Sequence, residues 1–145
     1  MHAPPDLHNK WREKLPQFND VTADYGGPRV QNPVAAFPAM VTHLDNQIGS
    51  LFQLIKDLKL DDNTLVLFTS DNGPHKEGGH RPDFWDSNGP FSGYKQDLLE
   101  GGIRTPLIAR WPGRVPAASV SDHVCAFWDY LPTLADFAGV PGPSD

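Results

Sequence analysis

The sequence predicts an α/β fold with a mostly parallel sheet and flanking helices. Three observations carry that expectation. An apolar run, Leu65-Val66-Leu67-Phe68-Thr69, stops abruptly at Ser70-Asp71-Asn72-Gly73-Pro74. A near-continuous apolar run bounded by turn residues is the pattern of a strand buried on both faces. Before it, Phe37, Met40, Val41, Leu44, Ile48, Leu51, Phe52, Ile55 and Leu58 recur at three- and four-residue steps, the period of an amphipathic helix. Beyond it, Leu107-Ile108-Ala109-Arg110-Trp111 is a second apolar run, stopped by Pro112-Gly113. Helix, short turn and apolar strand make one αβ unit of a parallel sheet.

The elements follow in order. Residues 1 to about 33 are Pro-rich and aperiodic, and an irregular segment is expected there. The core portion spans 34–145. Proline is tolerated only in the first turn of a helix, so the amphipathic helix is expected to begin close to Pro38. Asp61-Asp62-Asn63 ends it and leads into a strand over 64–69. Residues 70–102 form a long connection with seven glycines and three prolines. Connections of that length are usually functional or disordered. A strand over 107–111 follows. A last helix runs from Tyr130 to Ala138, with Asp129 as N-cap, Pro132 in its first turn and Gly139 as its stop. Two strands are few for a doubly wound sheet, which holds about five or six. The residues therefore read as part of a larger α/β domain.

Composition narrows the function classes. The chain has 145 residues, a net charge of −6 and 39% apolar residues. Fifteen prolines and thirteen glycines imply fixed turns rather than disorder, because aromatic residues are plentiful. Basic residues form no run or stripe, which leaves nucleic-acid binding without support. No apolar run reaches membrane-spanning length, and Met1-His2-Ala3-Pro4-Pro5 lacks signal-peptide character. A single cysteine, Cys125, excludes an internal disulfide framework. Its setting, Val124-Cys125-Ala126-Phe127-Trp128, predicts a buried, inert thiol.

Chemistry concentrates after the first strand. Ligands of open α/β sheets bind beyond the carboxyl ends of the strands, where Asp71 and Asn72 lie side by side. Both are hard oxygen donors, suited to Ca²⁺ or Mg²⁺. On those four residues alone, Asp-Asn-Gly-Pro reads as ordinary turn chemistry, and the strand before it and Lys95 after it turn the reading toward metal binding. The segment His75-Lys76-Glu77-Gly78-Gly79-His80 lacks the spacing of a helical zinc site. Exposed loop histidines are expected there, and His75, three residues after Asn72, is the one placed where it could face a site. His43 lies off the apolar stripe, which predicts a surface or helix-packing role rather than ligation. Phe84, Trp85 and Phe91 can either stack on a sugar or pack the loop onto the domain.

The order of blocks is more specific than any one of them. Thr69-Ser70-Asp71-Asn72-Gly73-Pro74 precedes Gly93-Tyr94-Lys95-Gln96-Asp97-Leu98-Leu99-Glu100-Gly101-Gly102-Ile103-Arg104-Thr105-Pro106. Trp111-Pro112-Gly113 and Asp129-Tyr130-Leu131-Pro132-Thr133-Leu134 follow. From His2 to Gly139 the chain resembles the second half of the catalytic domain of the type I, formylglycine-dependent sulfatases, the arylsulfatase and N-acetylgalactosamine-6-sulfatase group.

The resemblance implies the alkaline-phosphatase-like sulfatase fold, with residues 1–145 as a partial catalytic domain whose N-terminal half is missing. It implies hydrolysis of a sulfuric ester, on a sulfated carbohydrate or an aryl sulfate. Asp71 and Asn72 would ligate one Ca²⁺ ion. Lys95, five residues before Glu-Gly-Gly, would contact the sulfate, where an ammonium neutralises charge on the transferring group. His2, in His2-Ala3-Pro4, would be the second sulfate contact and the acid that protonates the leaving alcohol. Glu100 and Arg104 read as scaffold, with glycines allowing close backbone approach. The family's nucleophile is formylglycine, made from the Cys or Ser of Cys/Ser-x-Pro-x-Arg. That motif does not occur in these residues, and neither does the family's Asp-Asp pair of metal ligands. The chain alone is therefore expected to lack turnover. Members of the family are usually periplasmic, secreted or lysosomal.

Two alternatives remain open on sequence. One is a phosphoester or phosphonate hydrolase of the alkaline phosphatase superfamily, which would hold two metals. The other is a non-catalytic relative that binds Ca²⁺ or sulfated glycans.

Overall fold

In the computed structural model, which describes residues 3–142, the chain forms two units, Met1–Val115 and Pro116–Asp145.

The first unit opens with a helix where an irregular segment is expected. Helix α1 spans Pro5–Lys14. Pro5 occupies the first helical position, where its missing N–H costs nothing. Asp6 lies in the first turn, with Arg12 and Lys14 in the last, so both ends complement the helix dipole. Trp11 and Leu15 carry the helix onto the core. Strands β1 (Thr22–Ala23) and β2 (Val30–Gln31) then form a small antiparallel ladder.

Asn32 follows β2 and begins helix α2, Pro33–Asp57. It is fully buried and left-handed, with φ 51°, a conformation asparagine tolerates better than most residues. Its Oδ1 accepts the Ala35 N–H at 2.9 Å. Its Nδ2 donates to the Leu15 carbonyl and to Asn19 Oδ1, each at 2.9 Å. One side chain thus caps α2 and ties it to the end of α1. The helix starts five residues before Pro38. Pro38 is buried inside it, where packing compensates for the helical hydrogen bond that proline cannot donate. The core sits at this end of α2. Leu15, Val34 and Ala35 form it, with Trp11, Phe18 and Trp85 packed against them.

Strand β3 (Val66–Phe68), helices α3 (Pro82–Trp85) and α4 (Glu100–Ile103), and strand β4 (Ile108–Arg110) complete the unit. Both strands lie where the apolar runs predict them, but shorter. Their pairing is antiparallel, Val66 opposite Arg110 and Phe68 opposite Ile108, against the parallel sheet expected. A parallel neighbour needs a crossover, usually a helix. The 70–102 connection instead folds as short turns and returns the chain along the same edge. Asp61 anchors β4 from the turn after α2, through an ion pair to Arg110 at 2.8 Å.

In the second unit, helix α5 spans Tyr130–Ala138. Gly139 stops it with φ 67°, and the Val140 N–H returns to the Ala135 carbonyl at 3.1 Å, a left-handed C-terminal cap. Asp129 stands just before α5, but its carboxylate accepts the Ala126 N–H at 2.7 Å. It caps the preceding 3₁₀ turn rather than α5. Cys125 is exposed, not buried as its apolar neighbours predict. Val124 and Trp128 beside it are also exposed, so this segment has no core in which to place a thiol.

Candidate functional site

The loop after β3 is held from three directions. Thr105 Oγ1 donates to the Ser70 carbonyl at 3.0 Å, and Ser70 Oγ to the Asn72 carbonyl at 3.0 Å. Gly73 donates its N–H to the Gly102 carbonyl at 2.8 Å. A side chain at Gly73 would collide with the Gly101 carbonyl, and one at Gly101 with the Gly93 carbonyl. The Glu-Gly-Gly segment is scaffold, as its glycines predict: it lets three backbone stretches touch. The Lys95 N–H then donates to the Pro74 carbonyl at 2.8 Å. Residues distant in sequence are fastened to the Asp71-Asn72 turn by two main-chain bonds and by the Thr105 hydroxyl.

The Asp71 side chain is exposed. Asn72 turns its Nδ2 onto the Gly73 carbonyl, 2.8 Å away, which leaves Oδ1 as an open acceptor. Among the described residues no group of three or more His, Cys, Asp or Glu gathers around a metal position. Asp71 and Asn72 are oxygen donors of the type Ca²⁺ takes, and alone they would supply only part of its shell.

Lys95 and His75 meet at Glu77. Lys95 Nζ lies 3.4 Å from Glu77 Oε2, and His75 Nδ1 lies 3.8 Å from the same oxygen. The Glu77 N–H donates to His75 Nδ1 at 3.1 Å, so in the neutral ring the proton sits on Nε2. Each of the three side chains is one third exposed. A cavity of about 230 Å³ opens here, lined by His75, Lys76, Glu77, Tyr94, Lys95, Gln96 and Asp97. Lys76 Nζ sits 3.9 Å from the Tyr94 ring centre. Asp97 Oδ2 accepts the Tyr94 N–H at 2.9 Å and shapes the wall. Gln96 has φ 81°, a strained conformation beside Lys95 of the kind that collects at functional sites.

Behind this wall lies His80, 4% exposed, its ring 4.0 Å from Phe37 and 5.3 Å from His75 between centroids. Burial, and secondarily the nearby His75, push its pKa down to about 4, against an opposing pull from Asp83. It is a neutral core ring at physiological pH.

The structure thus brings Lys95 and His75 into one cavity and ties Lys95 to the Asp71-Asn72 loop. His2 lies outside the described residues. Of the loop aromatics, Trp85 packs edge-on against Trp11 at 6.3 Å, Phe84 against Phe18 at 5.1 Å, and Phe91 beneath Arg104 at 4.7 Å. All three serve loop packing. His43 is exposed, as expected. Glu77, Tyr94, Gln96 and Asp97 were not legible as site residues. The usable signal for Glu77 was its place beside a Gly-Gly turn, two residues after His75.

A family model for sulfatases matches residues 1–140. The N-acetylgalactosamine-6-sulfatase of Canis lupus familiaris is 44% identical over 105 residues, covering 72% of this chain and 20% of that protein. Human arylsulfatase A is 39% identical over 112 residues, 74% of this chain and 20% of the relative. Human steryl-sulfatase is 38% identical over 114 residues, 72% and 18% respectively. The chain thus spans about a fifth of the length of these curated relatives. Among solved structures, Ps i-CgsB in complex with k-i-k-neocarrahexaose superposes with a TM-score of 0.73 at 27% identity, over 98% of this chain and 27% of that one. The match runs through both units of the chain and through every block that surrounds Asp71, Asn72 and Lys95: the chain belongs to the sulfatase family.

Proposed function

We propose that this chain supplies the metal-facing and sulfate-facing segment of a sulfuric ester hydrolase acting on carbohydrate sulfates. The observation that carries the reading is the 2.8 Å bond from the Lys95 N–H to the Pro74 carbonyl. It makes the cation-type oxygens of Asp71 and Asn72 and the ammonium of Lys95 parts of one fastened loop system. Asp71 and Asn72 would hold Ca²⁺, which when bound withdraws charge from the sulfuryl oxygens. Lys95 Nζ uses one of its donors on Glu77 and keeps the others for a sulfate oxygen, where it offsets the charge developing on the group in transfer. His75 forms the rim beside it. His2 is assigned the leaving-group proton through its family motif. The preference for a sugar is supported by the neocarrahexaose bound to the solved neighbour and by the name of the N-acetylgalactosamine-6-sulfatase relatives.

Titration of the chain with Ca²⁺ and 4-nitrophenyl sulfate, followed by NMR, tests the assignment. Ca²⁺ should shift Asp71 and Asn72, the ester should shift Lys95 and His75, and Lys95→Ala should lose the ester response. An unchanged response in Lys95→Ala sinks the reading. The chain alone should release no sulfate, because the Cys/Ser-x-Pro-x-Arg nucleophile is not among its residues. Turnover by the pure chain, abolished in Asp71→Ala, would overturn its description as a contributing segment.

A further inference from the structure

Glu77 places a carboxylate against the ammonium assigned to the sulfate. Lys95 Nζ lies 3.4 Å from Glu77 Oε2 and His75 Nδ1 3.8 Å from it, and because Nδ1 of the neutral ring carries no proton, the partner of the acid in the cavity is Lys95. The wall carries two ammonium groups, Lys76 and Lys95, and two carboxylates, Glu77 and Asp97. Its formal charge is zero with His75 neutral. Asp97 is occupied in holding the Tyr94 N–H. Lys76 is occupied over the Tyr94 ring. Glu77 is the carboxylate in direct contact with the Lys95 ammonium, and its charge brings the wall to formal zero.

We propose that Glu77 is a specificity-determining residue that matches the Lys95 site to a monoanionic sulfate ester and weakens it for a dianionic phosphate ester. The inference rests on the assignment of Lys95 to the substrate's anionic group. A sulfate monoester carries one negative charge, and a phosphate monoester carries nearly two above its second pKa near 6. The two groups are close in size and shape, so charge is the property left to tell them apart. A fixed carboxylate beside the binding ammonium repels the dianion about twice as strongly as the monoanion. Without that carboxylate, the wall would carry a net positive charge and favour the dianion.

The test measures binding of phenyl sulfate, phenyl phosphate and methyl phenyl phosphate to the chain at pH 8 by NMR. Methyl phenyl phosphate is a phosphorus ester with a single charge, and it separates charge from the identity of the central atom. Glu77→Gln should tighten phenyl phosphate relative to phenyl sulfate by about tenfold and leave the ratio for methyl phenyl phosphate unchanged. Glu77→Asp keeps the charge and should keep the wild-type ratio. Equal ratios for all three esters in wild type and Glu77→Gln, with Lys95 still responding, overturn the role of Glu77 alone. Esters that bind equally well to Lys95→Ala overturn the Lys95 assignment, and this inference with it.

Discussion

The two halves of α2 lie in opposite surroundings. At its start, Val34, Ala35, Ala36 and Ala39 are buried to within 1% exposure or less. Toward its end, Leu44, Leu51, Leu54 and Leu58 are about half exposed. The repeat marks which face requires cover but says nothing about what covers it. Cover at the first half comes from α1, the turn that follows it and the His80–Trp85 segment. These arrive because Asn32 joins the ends of α1 and α2. The second half is covered less: the Arg110 guanidinium lies 5.1 Å from the Phe52 ring centre, while Leu51 and Leu54 stay about half exposed.

Substitutions at the two ends should separate by magnitude. Asn32→Ala removes a cap, strands buried backbone groups and puts alanine in a left-handed conformation. It should cost about 3–4 kcal/mol in urea unfolding. A cost below about 1 kcal/mol would show that the buried end does not depend on this side chain.

Acid should act on the same end. His80 titrates near 4 in the folded chain, below the ordinary imidazole value of 6.5. The unfolded chain therefore binds the proton first as pH falls. The stability His80 contributes is complete above about pH 6.5 and is lost between there and about pH 4, a loss on the order of 3 kcal/mol. Unfolding midpoints at pH 7, 5.5 and 4.5 should fall in wild type and fall much less in His80→Leu. Parallel slopes in the two would remove His80 as the cause.

Val34→Ala should cost about 2 kcal/mol, because it opens a cavity among packed neighbours. Leu54→Ala, half exposed already, should cost about 0.5 kcal/mol or less. Equal costs at the two positions would mean that the distal half is covered in solution by another copy of the chain, and a concentration-dependent midpoint would confirm it.

Much of the site was legible because its residues sit at strand ends and turns. Asp71 and Asn72 follow an apolar run, and Lys95 stands at a fixed distance from Glu-Gly-Gly. Local pattern marked the first pair as candidates, and the family resemblance marked Lys95. What neither recorded were partnerships. α1 is hidden in the sequence because its proline start, Pro4-Pro5, looks like a breaker until Pro5 stands at the first helical position. The start of α2 lies ahead of the position Pro38 suggests, because packing lets the proline sit inside the helix. The direction of β4 depends on how the 70–102 connection returns, which no strand's own residues encode. Glu77 became visible as a site residue only once Lys95 and His75 were both beside it.

The Gly73–Gly102 and Lys95–Pro74 bonds close the long connection with main-chain atoms at both points. Gly73 and Gly102 leave no room for a side chain there, but Lys95 enters its bond through the backbone N–H alone. Replacing the Lys95 side chain would therefore change the charge offered to the cavity and leave the fastening of the loop in place.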